Sequence, residues 1–323
     1  MSNQAQPSTV AIVGAGSIGT GWAVVFADAG HKVRLFDTVP DRLQAARSEI
    51  TERLGDLHEF DILNGTLDDV LDRISLCAEL DAALAGAGHV QECIPEDLAA
   101  KKQLFAQLDG LVDPSCVLAS SSSFLPASAF ASDIAGRGRI LVVHPANPPF
   151  LLRVVEIVPA PFTDPDVVDR THQLMMGADM ACVRLGGEVE GFAYNRLQGA
   201  VLREAYCLVR DGIVSVAEID QLMRDALGLR WSVIGPFETS DLNTRGGIKA
   251  HAERMGPYYA RMGRERGQDD PWTPQLVAEV TSARRQALPL DKWHERGIER
   301  DRALMALLRA RRHDPALAIC SDD

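Results

Sequence analysis

A Rossmann-type, doubly wound and mostly parallel α/β sheet, followed by an all-helical C-terminal domain, is the fold class this sequence predicts. Three observations carry it. Short β-branched runs alternate with longer amphipathic stretches from Thr9 to about Arg184, as in a parallel sheet flanked by crossover helices. A Gly-x-Gly-x-x-Gly run joins the first strand to the first helix. Beyond Gly186-Gly187 every periodic segment is helical, with no strand between.

In chain order, Thr9 to Val13 reads as a strand buried on both faces, because its run Val-Ala-Ile-Val is continuously apolar. Ser17 to Ala29 is the first crossover helix and Lys32 to Phe36 the second strand. A helix from Asp41 to Leu54 leads to strands at Ile74 to Cys77 and His89 to Glu92. A helix at Leu98 to Leu108 then precedes strands at Cys116 to Ala119, Ile140 to Val143 and Glu156 to Val158. Asp166 to Met176 is a helix, and Cys182 to Leu185 closes the sheet. Helices follow at Gly191 to Val209, Val216 to Leu227, Gln275 to Ala287 and Glu299 to Arg311. These divide the chain into a dinucleotide-binding domain, 1–187, and a helical substrate and dimerisation domain, 188–323. The apolar faces of the second domain exceed what the remaining chain can cover, which points to a homodimer.

The 323 residues are 46% hydrophobic and 24% charged, the composition of a globular protein. A net charge of -12 argues against nucleic acid as a partner, since phosphate binding runs on clustered Lys and Arg. The local basic cluster Arg309, Arg311, Arg312 and His313 ends a helix, where cations complement the helix dipole. No apolar run reaches the roughly 18 to 20 residues that span a bilayer, so no membrane association is expected. The start, MSNQAQPSTV, lacks a charged stretch followed by an apolar one, so the expected location is cytoplasmic. Six cysteines without CxxC spacing read as reduced core residues, and eight histidines without ligand spacing give no support for a metal.

The glycine run lies between a strand and a helix, the context its chemistry requires. Gly14 permits the tight turn, Gly16 lets the backbone approach a pyrophosphate, and Gly19 lets the helix pack closely on the strand. The helix start at Ser17 and Ile18 offers freed amides and its dipole to the phosphates. Asp37, ending the second strand, suits the hydroxyls of an adenosine ribose and would repel a 2′-phosphate, which selects NAD over NADP. Arg42, five residues on, weighs against that selection.

Ligands on open α/β sheets sit beyond the carboxyl ends of the strands. Two polar clusters occupy such places: Ser120-Ser121-Ser122-Ser123, and His144-Pro145-Ala146-Asn147-Pro148-Pro149, whose prolines fix the backbone after the histidine. Glu156 stands inside the apolar run Val154 to Val158, where an unpaired carboxylate would cost several kcal/mol, so it needs a partner. His144 is the obvious one, since a carboxylate on one ring nitrogen fixes the tautomer for proton transfer at the other. A satisfied core histidine is the alternative reading of the same residues.

The segments Gly14 to Gly19, Ser120 to Ser123, His144 to Pro148, Glu156 and Gly191-Phe192-Ala193-Tyr194-Asn195-Arg196 resemble, in order and spacing, the L-3-hydroxyacyl-CoA dehydrogenase superfamily. The stretches VQECIPEDL, VHPANPPF, VDRTHQLM, DGIVS and GPFETSDLN are most similar to its lambda-crystallin and L-gulonate 3-dehydrogenase branch. The resemblance implies an NAD-dependent oxidation of a 3-hydroxyl, with His144 as general base and Glu156 orienting it. It further implies that Ser123 and Asn195 hold the reacting oxygen, with Asn147 also on the substrate side, and that Glu96 and Lys101 line the nicotinamide end of the cofactor site.

The chain departs from the acyl-CoA enzymes at Ser121-Ser122-Ser123-Phe124 and at Gly228-Leu229-Arg230-Trp231-Ser232, where Arg230 can clamp a free carboxylate. L-gulonate is the first expectation for a small hydroxy acid substrate. A 3-hydroxybutyryl-CoA type thioester, L-carnitine, and a non-catalytic crystallin-like role stay open.

Overall fold

The computed structural model describes residues 8–245, 247–266 and 289–314, together with positions 275 and 286. Its sheet has eight strands: β1 (Thr9–Val13), β2 (Lys32–Phe36), β3 (Ile74–Cys77), β4 (His89–Glu92), β5 (Val117–Ser120), β6 (Ile140–Pro145), β7 (Val154–Pro159) and β8 (Ala181–Arg184). They lie in the order β3-β2-β1-β4-β5-β6-β7-β8. Every pairing is parallel except β6 with β7. Strand order reverses between β1 and β4, and it is at such a switch point that a doubly wound sheet opens a crevice for a ligand.

The first four strands coincide with the predicted ones. β5 begins one residue late, because the Cys116 amide turns back to the Asp113 carbonyl at 2.9 Å. β6 runs two residues beyond its predicted end, since the antiparallel ladder with β7 carries on through the pairs His144↔Glu156 and Pro145↔Val155.

Successive residues of a strand face opposite sides, and here they feed two cores. Val10 and Ile12 of β1, with Leu141 and Val143 of β6, pack on one face; Ala11 and Val13, with Ile140 and Val142, pack on the other. Crossover helices cover both: α1 (Ser17–Asp28), α2 (Pro40–Glu59), short α3 (Leu67–Asp72) and α4 (Leu80–Leu84), α5 (Leu98–Leu111), short α6 (Ala127–Ala131) and α7 (Pro165–Gly177). α1 is buried from Gly19 to Asp28, unlike an ordinary surface helix. The three short helices were not predicted. Each is five or six residues, too brief to display a period.

Helices follow β8: α8 (Phe192–Arg210), α9 (Val216–Leu222), α10 (Leu229–Trp231), α11 (Pro236–Leu242), α12 (Gly247–Arg266) and α13 (Trp293–His313). The predicted helix Val216 to Leu227 stops as an α-helix at Leu222 and widens into a π-helical turn over Met223–Gly228. α12 went unpredicted because Gly256-Pro257 in its interior reads as a break. The predicted helix Gln275 to Ala287 lies, save positions 275 and 286, outside the described residues, as does Cys320. Of the other cysteines only Cys116 and Cys207 are fully buried; Cys77, Cys93 and Cys182 are half-buried, so the expectation of core residues throughout does not hold.

One compact unit runs to Arg196 and takes back Leu304–Arg309, while the other comprises the rest from Leu197. No helix among the described residues is long and apolar enough to cross a membrane.

Candidate active site

The glycine turn after β1 is held by its surroundings as much as by its own freedom. Gly14 has φ +107°, and a Cβ there would lie 2.7 Å from the Cys93 carbonyl oxygen. A Cβ at Gly19 would lie 1.8 Å from the Gly14 carbonyl oxygen, so helix and turn can meet only at a glycine. Gly16 is different. A Cβ there would meet nothing within 4 Å, so the space is open where a pyrophosphate must approach. The first amide bonded within α1 is that of Thr20, to the Gly16 carbonyl at 2.9 Å, which leaves the amides of Ser17, Ile18 and Gly19 for an anion.

Asp37 caps this turn from β2. Its Oδ2 accepts the Ala15 amide at 2.8 Å and its Oδ1 the Val39 amide at 2.9 Å. A carboxylate has about four acceptor positions, so two remain for ribose hydroxyls. Gly14, Gly16, Ser17, Ile18 and Asp37 line one cleft of about 900 Å³ with Cys93, Ile94 and Leu104. Open space at Gly16, spare amides and a spare carboxylate edge fit a dinucleotide.

At the ends of β4 and β5 the serine run is fixed one residue at a time. Ser120 donates to Glu92 Oε2 at 2.5 Å. Ser121 Oγ accepts from Trp22 Nε1 at 3.1 Å and from Gln91 Nε2 at 2.8 Å. Ser122 donates to Glu96 Oε1 at 2.6 Å, and the same oxygen accepts the Phe124 and Leu125 amides at 3.0 and 2.9 Å. Burial alone would raise Glu96, but these three donors outweigh it and hold the carboxyl below its usual range. Ser123 follows at the end of the pinned stretch, half-buried, its carbonyl accepting from Asn195 Nδ2 at 2.9 Å.

Lys101 belongs to this scaffold rather than to an open surface. Its ammonium is 2.8 and 2.9 Å from the two carboxylate oxygens of Glu92, 3.7 Å from Glu96, and its side chain is 1% exposed. Glu92, Gln91 and Trp22 were not singled out in the sequence. Glu92 lacks the signal that identified Glu156, because its strand, His89-Val90-Gln91-Glu92, is mostly polar.

The β6–β7 ladder sets His144 directly opposite Glu156. Nδ1 of the ring lies 2.8 Å from Glu156 Oε2, both side chains being 6% exposed. The other carboxylate oxygen accepts the Ala193 and Tyr194 amides at 2.8 and 2.9 Å, at the start of α8 where free amides and the helix dipole favour an anion. Burial would raise Glu156, yet His144 and the two amides together hold it low, so it stays ionised at neutral pH. With Nδ1 committed, Nε2 is the nitrogen left to handle a proton. The rings of Phe192 and Tyr194 stand 5.5 and 6.1 Å from the imidazole.

His144, Glu156, Ser123 and Asn195 thus fall in one compact unit, on β6, β7, the loop after β5 and the first turn of α8. Asn147 is exposed in the turn after β6. Arg230 is exposed on α10, in the other unit. Among the described residues no group of His, Cys, Asp and Glu is arranged to hold a metal.

A dinucleotide cleft at the switch point and a histidine-carboxylate pair on adjacent strands accompany the class that the family match shows: an NAD-dependent dehydrogenase acting on a CH–OH group. The chain belongs to the 3-hydroxyacyl-CoA dehydrogenase family, matching its NAD binding domain over residues 9–189 and its C-terminal domain over residues 191–287. Lambda-crystallin of Oryctolagus cuniculus is 39% identical over 307 residues, covering 94% of this chain and 96% of that one. An L-carnitine dehydrogenase of Streptomyces griseus is 35% identical over 310 residues, covering 93% and 89%. A solved 5-formyl-3-hydroxy-2-methylpyridine 4-carboxylic acid 5-dehydrogenase superposes with TM-score 0.83 at 24% identity, covering 95% and 99%, and shares the fold.

Proposed function

We propose that the chain oxidises the 3-hydroxyl of a small hydroxy acid, L-gulonate first, with NAD as hydride acceptor. The observation that carries this is His144 held through Nδ1 by an ionised, doubly anchored Glu156. NAD, when bound, supplies the carbon that receives the hydride. His144 Nε2 takes the hydroxyl proton as the hydride leaves the carbon, and Glu156 stabilises the imidazolium that results. Ser123 Oγ and the Asn195 amide orient the reacting oxygen. Glu96 and Lys101 serve the nicotinamide end by fixing the serine loop.

The preference for a free acid rests on the lambda-crystallin likeness and on Arg230, whose guanidinium can grip a carboxylate with paired bonds. Asn147 is assigned to the substrate side from the sequence motif alone. In the same reading residues 1–187 hold the cofactor, residues 188–323 serve substrate and pairing, and the enzyme is a cytoplasmic homodimer. The carnitine dehydrogenase relative supports a second reading, L-carnitine oxidation.

The test is NADH formation with L-gulonate, L-3-hydroxybutyrate, L-carnitine and L-3-hydroxybutyryl-CoA. Turnover of L-gulonate above the others is expected; turnover of the thioester alone would remove both the gulonate reading and the role of Arg230. His144→Ala should cut kcat by about 10² to 10⁴ while leaving NAD affinity intact. Unchanged kcat would refute the assigned base.

A further inference from the structure

The cleft that takes the adenosine end of the cofactor contains a cation the activity does not need. Arg42 lines it beside Asp37, and an arginine there is the group that would receive a 2′-phosphate. Its guanidinium is already occupied. Nε donates to the Ala15 carbonyl, in the glycine turn itself, at 2.7 Å. The two terminal nitrogens form a paired contact with Glu49, NH1 to Oε1 at 2.7 Å and NH2 to Oε2 at 2.8 Å. Glu49 lies about two turns along α2 from Arg42, on the same face, and is steadied on its far side by Arg53, 4.0 Å from Oε2. Three of its N–H groups are thus committed, one to the glycine turn and two to a carboxylate of the same helix.

We infer that Glu49 determines cofactor choice: it engages the terminal nitrogens of Arg42, so the enzyme excludes NADP through Glu49 as well as through Asp37. Asp37 repels a 2′-phosphate directly, whereas Glu49 removes the cation that would compensate that repulsion. Glu49 is therefore a positioning residue, acting through Arg42. Paired Arg–carboxylate contacts are directional. Without the carboxylate, the guanidinium keeps its Ala15 anchor and its two terminal nitrogens are free to swing toward the ribose.

The test is binding, measured by calorimetric titration of NAD and NADP into wild type, Glu49→Gln, Asp37→Asn and the double variant. Glu49→Gln is expected to tighten NADP at least about tenfold in the Asp37→Asn background, with NAD affinity moving less than about threefold. Adding Arg42→Leu to the double variant should cancel that gain. Glu49→Asp, which keeps the negative charge, should bind NADP as weakly as wild type. Equal loosening of both cofactors by Glu49→Gln would mean that Glu49 only braces α2, and a gain that survives Arg42→Leu would mean that Arg42 is not the group released; either overturns the inference. A variant that melts early is replaced by Glu49→Met, for which the same ratio is expected.

Discussion

His89 sits in the core of the sheet with its Nε2 3.0 Å from the Gln91 side-chain oxygen, so the ring is neutral with its proton on Nε2. Nδ1 is buried without a partner. A second proton would have nowhere to go, and burial pushes the histidine down from 6.5 to about 4. In that window the unfolded chain binds a proton that the folded chain refuses, so stability falls as pH drops from 6.5 toward 4 and levels off below. His89→Gln keeps a donor toward Gln91 but does not titrate. It should flatten the urea-unfolding stability profile across this window by up to about 3 kcal/mol. An unchanged slope would place the acid sensitivity elsewhere.

The loop from Ser120 to Leu125 depends on one acid from the neighbouring connection. Glu96 gathers Ser122 and two backbone amides onto a single oxygen, so Glu96→Ala should let Ser123 drift and lower kcat on the order of 10². Ser123→Ala should add little in that background, because the two lesions share one cause. Full additivity in the kinetic double-mutant cycle would contradict the coupling. At this scale the sequence was informative where period and motif coincide: β1 to β4, the glycine turn, and the need of Glu156 for a partner were all readable. The extension of β6 through His144-Pro145 was not, because proline reads as a stop and only the ladder with β7 overrides it. Glu92 and Gln91 were passed over for another reason. A polar residue in a four-residue strand reveals its burial only once the neighbouring strands are in place.

At the scale of the whole molecule, many apolar side chains among the described residues from Leu197 onward are exposed. Phe237 is 81% exposed and Leu242 67%, along with Leu197, Ile213 and Leu229. Such exposed apolar side chains are what the proposed pairing of two chains would cover. Sedimentation is expected to show a species of twice the 35.1 kDa chain mass, and a monomer at micromolar concentration would rule out the homodimer. The cofactor unit has a debt of its own. Met305 is 1% exposed in its core, contributed by α13, with Leu304 and Leu308 packed alongside. Met305→Ala should cost about 2 to 5 kcal/mol in chemical denaturation. A cost near zero would show that this site can collapse around the smaller side chain.

That late return of the chain also governs how the protein can come into being. A ribosome releases the glycine turn, Asp37 and the His144–Glu156 strands long before it releases residue 305, so the nucleotide-binding half emerges with a gap in its interior. Its core is complete only once residues 304–309 have been added. Damage that halts translation early would leave a fragment with every cofactor contact encoded and an unfinished core beneath them.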